Sequence, residues 1–180
     1  ITAGGEGSWL YGGLLTDEWV TSSTFIQNDE TDQRKVQLLN TQVTGFFRSM
    51  NRVRTAANQA IPLLQEFDST NKALIVEMYF ARGYAEMQLA LDFCNGIPLS
   101  DAAGTEVLYD TPRTNAEVFA VAVASFDSAV ALAGTDAQSL VIVNAAKIGK
   151  GRALMAMNQY AAAAAAVAGI DTSYRYQHTF

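Results

Sequence analysis

Apolar residues recur at three- and four-residue steps along much of this chain, which is the spacing of one face of an α-helix. The clearest pattern predicts a long amphipathic helix over residues 40–67, with Phe46 and Met50 on its apolar face. After a polar break at residues 68–71 that offers helix caps, a second pattern predicts a helix that runs to about residue 93, with Leu91 among its inward-facing residues. Because so few residues join them, these two helices are expected to pack antiparallel.

Three more helices are predicted in the second half of the chain. Thr114 and Glu117 have the Thr-x-x-Glu spacing of a capping box, which predicts a helix start at residue 114 and an end near residue 133. Two shorter patterns follow, over residues 144–158 and 160–168. The sequence therefore predicts an all-α fold of antiparallel helix pairs.

The first 36 residues are less regular. A weak helical pattern covers residues 5–19, where several glycines lower helix propensity. Residues 20–36 are rich in Thr, Ser, Asn, Asp and Gln, which favour turns, and they are expected to form a surface loop. The predicted organisation is one helical-repeat domain over residues 1–180, with its parts at 1–36, 40–99 and 114–168.

The last two predicted helices have the spacing of a tetratricopeptide-like pair. Ala146, Ala153 and the six alanines after Tyr160 provide the small side chains that two closely crossing helices need. Tyr160 is expected to fill the turn between them. An α-solenoid scaffold of such pairs is the predicted architecture.

Composition excludes several kinds of function. The net charge of -6 lacks the basic surface typical of nucleic-acid binding. One cysteine and one histidine cannot form a zinc cluster, and Gly149-Lys150-Gly151-Arg152 lies inside a predicted helix, not in a phosphate-binding loop. No run approaches the roughly 20 apolar residues of a membrane-spanning helix. We expect no cofactor, no metal and no nucleic-acid partner.

Nothing in the sequence indicates a catalytic centre. Cys94 is expected to be a buried, unreactive thiol, and His178 a packing or turn residue. Arg82 is expected to pair with Glu86 four residues later or to reach a backbone carbonyl. With no carboxylate pair or activated nucleophile to nominate, we expect that the chain is not an enzyme.

Several motifs appear in an order that resembles one protein family. The segment Tyr79-Phe80-Ala81-Arg82-Gly83-Tyr84-Ala85-Glu86-Met87 precedes Asn95-Gly96-Ile97-Pro98-Leu99, and Pro112-Arg113-Thr114 opens the next helix. With the alanine-rich pair at 147–167, these motifs resemble the tetratricopeptide-like part of the SusD/RagB family over residues 71–180. Because that family's chains are far longer, this chain resembles an N-terminal fragment, with any signal peptide or lipid-attachment cysteine upstream.

The resemblance implies a function and a location. SusD/RagB proteins are nutrient-binding lipoproteins at the outer-membrane cell surface, where they work with a SusC-like TonB-dependent transporter. By this resemblance the chain would bind a glycan or another small nutrient without catalysis. The alternative is a structural subunit whose repeats make protein-protein contacts, with a homo-oligomer or another assembly partner.

Five residues are candidates for ligand binding. Trp19 is the first choice, since an aromatic face can hold a sugar ring, and Asp17 lies beside it. Asn28, Asp29 and Arg34 could hydrogen-bond glycan hydroxyls, although a solvated loop explains the same composition. Trp9 and Tyr11 are expected to pack in the protein. A calcium site at Asp29-Glu30-x-Asp32 lacks the spacing of an EF-hand loop.

Overall fold

The computed structural model describes residues 7–22 and 24–177. Within that part the chain is all-α, as predicted, and its only β-type pairings are two isolated bridges. The helices of the described residues are α1 (Ser8–Leu15), α2 (Ile26–Asp32), α3 (Thr41–Phe67), α4 (Lys72–Asp92), α5 (Asn115–Leu132), α6 (Ala137–Ala156) and α7 (Tyr160–Val167). The predicted helix start at residue 5 and the predicted role of His178 lie outside the described residues.

The chain forms two compact units, Ile1–Arg52 and Val53–Phe180, and the boundary falls inside α3. Unit 1 contains α1, α2 and the first part of α3. Unit 2 contains the rest of α3 and the helices α4 to α7. The single domain over residues 1–180 stays a prediction.

In unit 1 a helix lies where a loop was predicted. α2 occupies the middle of residues 20–36, so the loop prediction is wrong there. The Phe25 carbonyl accepts bonds from the amides of Asn28 and Asp29, and the Thr31 hydroxyl donates to the carbonyl of Gln27. The hydroxyl of Thr31, a residue type that usually competes with a helix, is thus satisfied within it.

Asn40 joins two helices of unit 1. Its side-chain oxygen accepts from the amides of Gln42 and Val43 and so satisfies free donors at the start of α3. Its side-chain nitrogen donates to the Gln27 carbonyl at 2.9 Å and to a Glu30 carboxylate oxygen at 2.7 Å. This buried amide therefore fixes α2 against the beginning of α3.

Unit 2 has a dense core around Phe126 of α5. Its ring lies where a Cβ on Gly83 of α4 would come within 3.0 Å and one on Gly149 of α6 within 2.5 Å. Only glycine permits so close an approach at residue 149. Other large apolar side chains of α4 and α5 are also fully buried in this unit: Ile75, Val76, Met87, Leu89, Val118.

The helix ends of unit 2 explain where its elements begin. Asn71 caps α4, and Thr114 and Glu117 form the predicted capping box of α5, which is confirmed. α6 begins at Ala137, seven residues before the predicted start, because the Asp136 side chain accepts a bond from the Ser139 amide at 2.8 Å. Asn158, with a positive φ of 61°, ends that helix.

Three side chains differ from expectation in their burial. Tyr160 is exposed and donates its hydroxyl to the Asn158 side chain at 2.8 Å, so it does not fill the turn before α7. Cys94 is exposed because α4 has ended before it, at Asp92. Leu91, predicted to point inward, is exposed on the last turn of α4.

The crossover between α4 and α5 is paired along its length. The amide and carbonyl of Ile97 bond to the carbonyl and amide of Arg113 at 3.1 and 3.0 Å. Asp101 and Leu108 form a second antiparallel bridge. The Ile-Pro-Leu and Pro-Arg-Thr segments are therefore neighbours in space.

By length and composition alone, α5 is one helix among the described residues that could cross a membrane. Its side chains Val118, Ala122 and Phe126 are fully buried in unit 2. Packing within this unit is a sufficient reason for its apolar sequence.

Candidate functional site

Two of the predicted binding residues form an ion pair in unit 1. An Arg34 guanidinium nitrogen lies 2.5 Å from an Asp17 carboxylate oxygen, with the two side chains 48% and 75% exposed. Arg34 also donates through Nε to the Leu15 carbonyl at 3.1 Å. The pair therefore connects the end of α1 to the end of α2 while it remains open to solvent.

The backbone holds both residues of this pair in the left-handed region. Asp17 has φ 62° and Arg34 has φ 55°. At the end of α2, the Arg34 amide donates to the Thr31 carbonyl and the Lys35 amide to the Glu30 carbonyl, which is a Schellman motif. Arg34 thus occupies a position that usually favours glycine or asparagine.

Each partner changes the pKa of the other. The hydrogen bond and charge of Arg34 lower the pKa of Asp17, and the same contact raises the pKa of Arg34. Both side chains are therefore charged at neutral pH. A charged carboxylate and a charged guanidinium offer an acceptor and several donors side by side.

Trp19 lies against α1 and beside Trp9. The ring centroids are 4.7 Å apart at an interplanar angle of 60°, an edge-to-face arrangement, and the residues are 41% and 63% exposed. A Cβ on Gly13 would overlap the Trp19 ring at 1.5 Å from Cδ1. The Trp19 amide donates to the Gly13 carbonyl, so this glycine fixes both the backbone and the ring.

The other predicted residues lie on α2. Asp29 accepts a very short hydrogen bond from the Thr21 hydroxyl, and Asp32 accepts one from the Thr21 amide at 3.2 Å. The side-chain oxygen of Asn28 is buried and has no hydrogen-bond partner among the residues that the structure describes. Asp29 is thus part of a local brace, and the binding role of all five residues stays a prediction.

Trp9 and Gly13 are the residues of this site that sequence reasoning missed. Trp9 was expected to pack inside the protein, which is wrong because most of its surface is exposed. Tyr11 is buried as expected, and its hydroxyl donates to Gln42. The sequence Trp-Leu-Tyr-Gly-Gly could have indicated both residues, because Trp9 and Gly13 are four residues apart and therefore lie on one face of a helix.

Unit 2 contains a second charged cluster, which is buried. Arg54 of α3 donates to the carbonyls of Leu99 and Ser100, both at 2.6 Å, and its Nε lies 3.5 Å from a Glu86 carboxylate oxygen. The side chains of Arg54 and Glu86 are only 8% and 3% exposed. This pair therefore ties the α4–α5 crossover to the helices.

Glu86 is held in place by two further residues. The Ser125 hydroxyl donates to it at 2.7 Å and accepts in turn from Nε of Arg82 at 3.0 Å. Arg82 therefore reaches Ser125 of α5 and Asn58 of α3, where a contact with Glu86 or a backbone carbonyl was expected. Burial raises the pKa of Glu86 above its ordinary value, against the lowering effect of Ser125 and both arginines.

Among the described residues, no group of three His, Cys, Asp or Glu side chains is arranged to hold a metal ion. No family model, no curated protein and no solved structure matches the chain. The fold and the site therefore define an all-α protein with a solvent-exposed tryptophan pair beside an exposed ion pair.

Proposed function

We propose that the chain is the helical part of a non-catalytic, SusD/RagB-like binding protein. It captures a glycan or another small nutrient at the outer-membrane surface and hands it to a SusC-like TonB-dependent transporter. The observation that carries the proposal is the exposed Trp9–Trp19 pair beside the Asp17–Arg34 ion pair. Aromatic faces and paired charged groups are a combination suited to sugar rings.

Binding at this site would involve only non-covalent contacts and no catalytic step. The exposed ring of Trp9 would stack on the C–H face of a sugar, with Trp19 behind its edge. Asp17 would accept hydrogen bonds from hydroxyl groups, and Arg34 would donate to them. Because Gly13 holds Trp19 in place, the site is arranged before the ligand arrives, which lowers the entropic cost of binding.

The scaffold supports the same proposal. We interpret α4 with α5, and α6 with α7, as tetratricopeptide-like pairs. Close crossings at small residues favour this interpretation: a Cβ on Gly83 of α4 would come within 3.0 Å of Phe126 of α5, and one on Gly151 of α6 within 2.9 Å of Val167 of α7. The pairing of Ile97 with Arg113 also brings two of the family-like segments together.

The proposal is tested by purifying the native protein gently from its own membranes. Mass spectrometry then measures the intact mass and identifies every co-purifying chain. A mass far above that of these 180 residues, with a co-purifying barrel transporter, is the expected result. A species of about 19.4 kDa in a multi-copy assembly would overturn the proposal.

A second candidate function is a structural subunit in an assembly. The observation in its favour is a set of highly exposed apolar side chains in unit 1, including Leu38 at 97% and Leu39 at 86%. Contiguous exposed apolar surface is typical of protein-protein contacts. Replacing Leu38 and Leu39 with Gln would dissolve an assembly and leave glycan binding intact.

A further inference from the structure

Unit 2 contains an open cavity of about 230 Å³ between α4, α6 and the segment after α7. Its walls are mainly aromatic rings, from Phe80 and Tyr84 of α4 and from Tyr174 and Tyr176. Ile148 and Gly149 of α6 form part of the remaining wall. The surface that faces the cavity is almost entirely apolar.

The aromatic walls are fixed by contacts within unit 2. Phe80 meets the Tyr176 ring edge-to-face at 5.1 Å between centroids and the Tyr84 ring at 6.1 Å. The Tyr174 hydroxyl donates to the Val141 carbonyl at 2.6 Å. Burial raises the pKa of both Tyr174 and Tyr176, so these rings are neutral at physiological pH. The walls are therefore uncharged ring faces and edges.

The size of the cavity fits one ring and a short substituent. A cavity of about 150 Å³ with apolar walls is large enough to hold benzene. The larger volume here leaves room for two or three further heavy atoms. A disaccharide would not fit, and its hydroxyl groups would find few partners on these walls.

Two arginine side chains place positive charge beside the cavity. Arg152 and Arg175 both line it, and neither has a carboxylate within 4.0 Å among the described residues. Arg175 donates through one nitrogen to the carbonyls of Thr172 and Tyr174. Asp92 interacts with Arg152 only at longer range, and its carboxylate accepts a hydrogen bond from Gln88 at 2.7 Å. Glu77 acts on Tyr176 through its charge but does not line the cavity, so the charged side chains among the described lining residues are the two arginines, which favour an anion beside them.

We propose that this cavity binds a small aromatic carboxylate, with the ring between Phe80, Tyr84 and Tyr176 and the carboxylate at Arg152 and Arg175. The ring is bound by apolar and edge-to-face contacts, and the carboxylate by charge-assisted hydrogen bonds. This site is independent of the glycan proposal, because it lies wholly in unit 2 and uses none of the residues around Trp19.

The probe for the test is 3-phenylpropionate, titrated into the 180-residue chain and followed by calorimetry and by the methyl NMR signals of Ile148 and Ala145. We expect saturable binding with shifts confined to these methyls. Two matched probes separate the contributions: 3-phenylpropan-1-ol keeps the ring without the charge, and butyrate keeps the charge without the ring. Both are expected to bind at least about tenfold more weakly.

Variants test whether the arginines bind the carboxylate of the probe. Arg152→Gln should weaken 3-phenylpropionate binding about tenfold and change 3-phenylpropan-1-ol binding by less than about twofold. Arg48→Gln removes an exposed guanidinium of α3 outside the cavity and should change neither. Thermal unfolding of each variant shows that it is folded.

Three results would overturn the proposal. They are no saturable binding at millimolar probe, equal binding of the alcohol and the carboxylate, or methyl shifts outside the cavity. Equal binding would mean that the cavity receives an uncharged ring, such as an aromatic side chain of a peptide.

Discussion

Two of the arginine–carboxylate pairs among the described residues lie in opposite settings. Asp17 and Arg34 in unit 1 meet at 2.5 Å in solvent, whereas Arg54 and Glu86 in unit 2 lie 3.5 Å apart in the protein interior. The shorter contact is screened by water and adds little to stability. The longer one has lost its hydration and is held by Ser125 and two backbone carbonyls.

Exposure to solvent decides whether such a pair can bind a ligand or can only stabilise the fold. A buried charge must keep its partners, so Arg54 and Glu86 can only hold helices and crossover together. An exposed pair can exchange a partner for a ligand hydroxyl at small cost. The exposed pair of unit 1 is therefore a candidate for glycan recognition, whereas the buried pair of unit 2 supports its fold. Variants of the two pairs and of the residues around them should differ accordingly in stability and in binding.

The strongest test removes the buried cation. Arg54→Met should lower the free energy of unfolding by about 3–5 kcal/mol, because Glu86 loses its buried ion-pair partner and the carbonyls of Leu99 and Ser100 lose their donor. Urea denaturation measures the change. Arg52→Met, an exposed arginine two residues earlier on α3, is the matched control and should cost far less. Equal effects would contradict a special role for the buried pair.

The next largest effect on stability is expected where α5 and α6 cross at Phe126. Gly149→Ala places a Cβ within 2.5 Å of the ring and should destabilise the protein by about 1–3 kcal/mol through overpacking. Gly45→Ala on α3 meets nothing within 4 Å and should be neutral or stabilising, because alanine favours a helix. Thermal denaturation of the two variants gives the comparison. A stabilised Gly149→Ala would show that the helices are not in close contact.

Burial of Glu86 predicts a pH dependence. Its folded pKa is raised, so below that value the native state holds a proton that the unfolded chain releases. Its contribution to the free energy of unfolding therefore rises as the pH falls towards the unfolded pKa of about 4.3.

The variant Glu86→Gln cannot gain this proton. The advantage of the wild type over the variant should therefore grow between about pH 7 and pH 5 in urea denaturation. Carboxylates whose pKa is lowered by their partners act in the opposite sense, but both proteins share them and they cancel: Asp17, Asp110, Glu117, Asp136, Asp171. A constant difference across this range would contradict the raised pKa.

In unit 1, a substitution at Gly13 tests the position of Trp19 most directly. Gly13→Ala cannot coexist with the present position of Trp19, so the ring must move away from α1. The expected result is a red-shifted tryptophan emission and weaker glycan binding. Gly12→Ala, next to it on the same helix with nothing within 4 Å, should leave both unchanged. An unshifted spectrum in Gly13→Ala would show that Trp19 does not rest on this glycine.

The smallest effect on stability is expected at the exposed ion pair. Asp17→Asn removes the charge that faces Arg34 and should leave the thermal midpoint unchanged, because both groups stay hydrated. The same change should weaken binding of a glycan that bonds to Asp17. A clear fall in the midpoint would show that this pair supports the fold as the buried pair does.

Periodicity predicted most of the fold because local signals and packing agree there. The predicted start of α3 and the predicted end of α4 each differ from the structure by one residue, the end of α3 agrees, and α4 begins directly after the predicted break at residues 68–71. The start of α6 was missed because Asp136 and Ser139 cap it without the Glu that marks a capping box. α2 was missed because its polar residues usually indicate a loop.

Burial of charge could not be predicted from the sequence. Arg54 on α3 and Glu86 on α4 each occupy a position that the helical pattern does not distinguish from an exposed one. Arg54 can be buried because the crossover carbonyls of Leu99 and Ser100 accept its hydrogen bonds. The pairing of Asp17 with Arg34 depends on two left-handed residues that no local rule assigns to Asp and Arg. Tertiary contacts decided both cases.

We propose that unit 1 recognises a glycan through its tryptophan pair. The sequence contains two tryptophans, and both belong to this pair, so tryptophan emission excited selectively over tyrosine reports on the site alone. The most direct measurement is a titration of this emission with a panel of neutral glycans. We expect a saturable change with at least one glycan that is lost in Trp19→Ala and kept in Tyr160→Ala. Folded protein that responds to no glycan, or a response that survives Trp19→Ala with unchanged affinity, would contradict it.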